Sequence, residues 1–406
     1  MLDKPFILKN GIQIQNRIVK SALEEELGIK GAPKEEIFKL YRRWSEGKPG
    51  ILITGNVVVD RRAPTGPRNI VLEDDSHLTD FKRWAKEAKV GGNLLLMQIN
   101  HAGRQIPKVL AGEPVAPSAI GLEVPGGRGM FGTPRELTSL EIEDLIQRYR
   151  TTTCLAMEAG FDGVQIHGAH GYLISQFLSP KTNKRMDKWG GSLENRSRFL
   201  FEIVDQLRSV IPDDKVLAIK LNSADFQRGG FSEEDSLWII QQLEKRGLDL
   251  LEISGGNYES PAMIGLAKAS TVEREAYFLD FADKVRQVSS LPIIVTGGFR
   301  TRQGMELALA SKSLDLIGMG KPFVLYPEIP KQLFSGELEE VKWPLRKLKN
   351  PAIDSQSIMG WSRTQMQRMA NGKDPKPTLG TYCNLVYDSL RTVKDSFKYT
   401  LWLKAS

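Results

Sequence analysis

The chain has 406 residues, 41% hydrophobic and 26% charged, with a formal net charge of +7. This is ordinary globular composition, and the length suits two mid-sized domains or one large α/β barrel with a decorated end. Three classes fall away: no apolar run approaches the roughly 20 residues that span a bilayer, Cys154 and Cys383 form no cluster for disulfides or iron–sulfur ligation, and the basic residues lie scattered among acidic ones, unlike a nucleic-acid site.

The first residues, MLDKPFILKN, lack the apolar core and small-residue cleavage site of a signal peptide, so a cytoplasmic location is expected. Short apolar, β-branched runs then recur at 17–21, 51–54, 94–99, 163–167, 216–221, 250–254, 293–296 and 315–320. Each is followed by a stretch with helical spacing, at 34–46, 77–90, 140–159, 193–210, 233–246, 274–288, 302–311 and 330–338. Thr138 and Ser232 each precede an acidic first turn, where a hydroxyl caps free N–H groups. Eight strand–helix alternations favour a (β/α)8 TIM barrel with a parallel sheet over an open doubly wound one. The barrel is expected over residues 1–341. Residues 106–135, rich in Gly and Pro, read as a long loop over one mouth, and residues 342–406 as a helical or irregular C-terminal appendage packing on the barrel, without its own core.

In such barrels the working residues sit at the C-terminal ends of strands. The seventh and eighth strands end in Thr296-Gly297-Gly298 and Gly320-Lys321, which offer bare backbone N–H groups and a cation to a phosphate. The second ends in Thr54-Gly55-Asn56, where glycine would let a flat ligand approach the backbone. The third, fourth and fifth carry Gln98, His167 and Lys220. An amide, an imidazole and a cation suit a heterocycle that is anionic in one state, as a reduced flavin is. The chain has only four histidines, and His167 and His170 stand three apart in QIHGAHGY, beside Tyr172. A zinc ion on this pair would need further ligands, and no Cys or acidic residue is placed to supply them.

The segment GVQIHGAHGYLISQFLSPKTNKRMDKWGGSLENRSRFL strongly resembles the Old Yellow Enzyme family of FMN-dependent NAD(P)H oxidoreductases. So do LKNGIQIQNRIVKSA, QINHAGRQ, TGGF and GMGKPF, in order, across roughly residues 3–335, with a weaker echo in WSRTQMQRMANGKDPKP. The resemblance implies FMN across the barrel mouth, meeting Ser21, Ala22 and Leu23, then Gly55 and Gln98 on the pyrimidine side. Lys220 would stand near N1, and Gly297, Gly298, Gly320 and Lys321 would hold the phosphate. It implies that His167 and His170 grip a substrate oxygen and that Tyr172 protonates the substrate. Arg196 would organise the preceding loop.

The resemblance thus implies an NADH- or NADPH-dependent reductase of activated alkenes or enones, possible as a homo-oligomer, with no membrane or nucleic-acid partner. Two alternatives stay open: a flavin-free, phosphate-binding barrel aldolase or isomerase, and an FMN-binding barrel without catalysis. The chain also departs from the family. Lysine stands at 220 and 321 where many members carry arginine, keeping charge but losing the planar fork. Glu24 stands where members typically have threonine or cysteine. A glutamate there either turns to a cation such as Lys20 or faces the flavin, protonated or lowering its potential.

Overall fold

The computed structural model describes residues 1–110, 112–124, 129–257, 259, 278–343 and 351–405. The expected helix start at 274–277, Pro344 and parts of the loop at 106–135 lie outside these.

Eight strands close into a barrel: β1 Ile18–Lys20, β2 Ile51–Ile53, β3 Leu94–Asn100, β4 Gly163–Gly168, β5 Val216–Asn222, β6 Leu250–Ser254, β7 Ile293–Thr296 and β8 Leu316–Met319. Every neighbouring pair is parallel. Met319↔Lys20 closes the ring between β8 and β1, and Gln165↔Gln98 joins β4 to β3. The sequence shows such strands as continuous apolar runs because both faces are buried. Outward side chains such as Ile18, Leu52, Met97 and Ile166 pack under helices, while inward Val19, Ile53, Leu96, Ala218, Leu250 and Ile294 fill the barrel floor. A hairpin of Phe6–Ile7 and Gln13–Ile14 adds Leu8 and Ile14 to that floor.

The helices include α1 Glu35–Glu46, α2 Leu78–Glu87, α3 Ser139–Glu158, α4 Leu193–Arg208, α5 Glu233–Lys245, α6 Leu279–Val288, α7 Arg302–Ala310 and α8 Ile329–Ser335. Thr138 accepts from the Glu141 amide while the Glu141 carboxylate accepts from Thr138 N–H, a reciprocal cap on α3. Ser232 caps α5 through the Asp235 amide. The described part of the appendage is largely helical, as expected. It holds α9 Pro351–Ala370 and α10 Thr381–Ala405, with Pro351 at a helix start, where its missing N–H costs nothing. None of the described helices is long and apolar enough to cross a membrane.

The mouth is shaped by one irregularity. Ile53 faces Leu96 and Val57 faces Ile99, so β2 and its continuation carry one extra residue, a bulge at Thr54-Gly55-Asn56. Thr54 Oγ1 accepts from Gln98 N at 2.9 Å, repairing the ladder there.

Candidate active site

Above the apolar floor the barrel interior turns polar. Gln98 Nε2 donates to Gln165 Oε1 at 2.7 Å, and Gln165 Nε2 donates to Glu252 Oε2 at 2.7 Å. Glu252 Oε1 takes Lys220 Nζ at 3.0 Å and the Thr296 hydroxyl at 2.6 Å. Thr296 Oγ1 lies 2.9 Å from Ser21 Oγ. All of these residues except Thr296 are buried, and Glu252 is 0% exposed. Three residues expected at the ligand, Ser21, Gln98 and Lys220, thus share one network. Gln165 and Glu252 escape the motif reading. Their signal is a polar side chain set between apolar neighbours, Val164 and Ile166 in GVQIHG and Leu251 and Ile253 in LLEIS.

At the end of β4 the aromatic rings converge. His167 lies 5.1 Å from His170 and 4.8 Å from Tyr172, both edge-on. His167 Nδ1 accepts from the Ala169 amide at 3.3 Å, which leaves the ring proton on Nε2. Burial, then His170 and Lys220, hold the His167 pKa well below the usual imidazole value. Burial and Lys220 lower that of His170 to about 3. Both rings are therefore neutral donors near pH 7. His170 has φ +61, a strained region for a side chain of its size, and is held on several sides. Its N–H reaches Asn222 Oδ1 at 3.2 Å, its carbonyl accepts from Gln105 Nε2 at 3.2 Å, and its Nε2 meets Ser254 Oγ at 2.7 Å. Tyr172 is buried beside Ala102, Ile106 and Tyr399, directly before a short helix, Leu173–Leu178.

The remaining expected residues fall at two places. Gly297 and Gly298 have φ 124 and 90, conformations that favour glycine, and directly follow β7, beside the β8 end that carries Gly320 and Lys321. Among the described residues a Cβ on Gly320 would meet only Leu23, at 3.2 Å, and Lys321 is exposed. Ala22 and Leu23 are half-buried after β1. Gly55 has a packing reason to be glycine: a Cβ would strike Leu23 O at 2.2 Å and the Glu25 carboxylate, and its N–H donates to Tyr41 Oη at 2.9 Å.

Glu24 turns away from the polar layer, but not toward Lys20. Its Oε1 accepts from Thr65 Oγ1 at 2.5 Å and Oε2 lies 3.6 Å from Arg363 on α9. Lys20 instead pairs with Glu25 at 3.2 Å, under the Trp44 ring. Burial lowers the Lys20 pKa to about 8, against the pull of Glu25. Arg196 binds Leu178 O at 2.9 Å and Gly191 O at 2.7 Å, organising the loop before α4. Asn100, at the end of β3, is fully buried with both amide atoms unpartnered among the described residues.

The closed parallel ring of eight strands with helices between them is the (β/α)8 barrel fold. Residues 1–340 match the NADH:flavin oxidoreductase / NADH oxidase family. The chain is 36% identical over 379 residues to the NADH-dependent flavin oxidoreductase iliE of Hypocrea jecorina, covering 86% of this chain and 92% of that protein. It is 30% identical over 336 residues to a Geobacillus NADPH dehydrogenase, covering 81% and 92%. Among solved structures, a 2-naphthoyl-CoA reductase in complex with 2-naphthoyl-CoA superposes with TM-score 0.77 at 28% identity, over 84% of this chain and 53% of that one. Morphinone reductase gives 0.69 at 25%, over 84% and 91%. The chain belongs to the NADH:flavin oxidoreductase family of the Old Yellow Enzyme type. Its cofactor is FMN, and NADH or NADPH is its reductant.

Proposed function

We propose that the chain reduces activated C=C bonds of α,β-unsaturated carbonyl compounds, with His167 and His170 holding the carbonyl oxygen and Tyr172 supplying a proton to the α-carbon. The observation that carries this reading is the meeting of His167, His170 and Tyr172 at one strand end, with His167 in register with buried Lys220 on the next strand. The residues present fit FMN: Lys220 and Gln98 under the mouth, two positive-φ glycines, Lys321 at the next strand end, and the unpartnered Asn100 amide. FMN, once reduced by NAD(P)H, supplies the hydride.

The protein residues supply the rest. The Nε2–H of neutral His167 donates to the carbonyl oxygen, and His170 offers its Nδ1 side, since Ser254 occupies Nε2. Two donors on one oxygen withdraw charge from the alkene and stabilise a developing enolate. Tyr172 then completes the addition by general acid catalysis, an effect of roughly 10²–10⁴-fold. Ser21, Ala22, Leu23, Gly55, Gln98 and Lys220 would border the ring system, and Gly297, Gly298, Gly320 and Lys321 the phosphate.

The test is anaerobic turnover of 2-cyclohexenone by the FMN-loaded protein with NADH or NADPH. Saturated ketone should form, and Tyr172→Phe should slow that step at least a hundredfold while FMN binding and reduction persist. A parent protein that oxidises NAD(P)H but converts no enone would sink the assignment.

A further inference from the structure

Lys220 is not a bare cation. We infer that Glu252 is a positioning residue that holds Lys220, Gln98 and Ser21 in one hydrogen-bond polarity and offsets the lysine charge seen by the flavin. The inference rests on the proposed placement of FMN over these three residues.

A carboxylate paired with a lysine offers only lone pairs. At Glu252 both oxygens are used in that sense, Oε2 for Gln165 Nε2 and Oε1 for Lys220 and Thr296. Each consequence is forced in turn. Gln165 must give its amide N–H₂ to Glu252, so its carbonyl takes the Gln98 amide, and Gln98 keeps its carbonyl and second N–H for the mouth. Thr296 spends its only proton on Glu252, so the 2.9 Å contact is a Ser21 hydroxyl donating to Thr296. Ser21 then faces the ligand with lone pairs alone. One side chain thereby sets donors and acceptors on β1, β3, β4, β5 and β7. Removal of either charge from a buried pair leaves the other uncompensated. The pair is close to neutral as a unit, so an anion forming over Lys220 gains less than a free lysine would give.

The experiment is a flavin midpoint potential by dye equilibration on the FMN-loaded parent, Glu252→Gln, Lys220→Met and the double variant. Glu252→Gln keeps the shape but removes the counter-charge and can donate as well as accept. It should bind reduced FMN about tenfold more tightly relative to oxidised FMN, a rise of about 30 mV for a two-electron couple. The rise should vanish in the Lys220→Met background. An unchanged potential, or the same rise without Lys220, overturns the inference, because a merely structural glutamate would change stability and not this coupling. If Glu252→Gln does not fold, Glu252→Asp, which withdraws the carboxylate by one methylene, must raise the potential by less; no rise there also overturns it. A parent that takes up no FMN sinks the placement itself, whereas a parent with FMN bound and a potential indifferent to residue 252 sinks this inference alone.

Discussion

The barrel interior is two different solvents stacked on one axis. Its lower half is lined by Val19, Ile53, Leu96, Ala218, Leu250 and Ile294 and sealed by Leu8 and Ile14. Its upper half, two residues further along the strands, holds Ser21, Gln98, Gln165, Lys220, Glu252 and Thr296. The lower layer is stabilised by apolar burial, which tolerates no hole but is indifferent to orientation. The upper layer is stabilised only if every donor finds its acceptor, so orientation is what it preserves. One closed sheet can carry both because successive inward residues lie two apart, and a change of chemistry needs only one step along each strand.

Breaking the upper layer should cost most. Lys220→Met leaves Glu252 buried without its cation, and urea unfolding of the apoprotein should show a loss of about 3–5 kcal/mol. Adding Glu252→Leu should restore much of that. If Lys220→Met alone unfolds like the parent, orientation is not what stabilises the upper half.

In the lower layer, Leu96→Ala should cost about 2–4 kcal/mol through the cavity it leaves. FMN affinity at low denaturant should stay at the parent value, because no orientation changes above. A large drop in FMN affinity would show that the layers are mechanically one.

The smallest effect concerns acid. His170 has a folded pKa near 3, below its unfolded value of about 6.5. Above 6.5 neither state binds the proton, so it contributes nothing there. As pH falls from about 6.5 toward 3 the unfolded chain binds a proton that the folded one refuses, and stability declines. His170→Asn should flatten that decline by up to one proton in the dependence of unfolding free energy on pH, measured between pH 6.5 and 4. An unchanged slope would remove His170 from the acid response.

The barrel is legible in the sequence because a strand buried on both faces must be apolar throughout, and eight such runs cannot be arranged in many ways. Helix starts at Thr138 and Ser232 are legible because caps are local. The histidines and Tyr172 are legible as a local motif. What stays hidden depends on closure. Gln165 and Glu252 are 87 residues apart, and nothing local announces that they meet. Proximity in sequence points Glu24 at Lys20, yet the structure supplies Arg363 from α9. Arg391 on α10 likewise reaches Glu26 O from 365 residues away at 3.0 Å. Gly55 stands out in the sequence, but its crowding by Leu23 and Glu25 shows only in the fold.

The contact between Ser21 and Thr296 spans 275 positions of chain and lies across the β7–β8–β1 closure. Loops that long close late, and contacts of high sequence separation slow folding. The polar layer is therefore complete only once the ring shuts. Flavin uptake during refolding then reports a closed ring, not collapse. During biosynthesis, a chain waiting for its eighth strand has no pocket to load, and a shortage of FMN would weaken the finished fold by mass action without impeding its assembly.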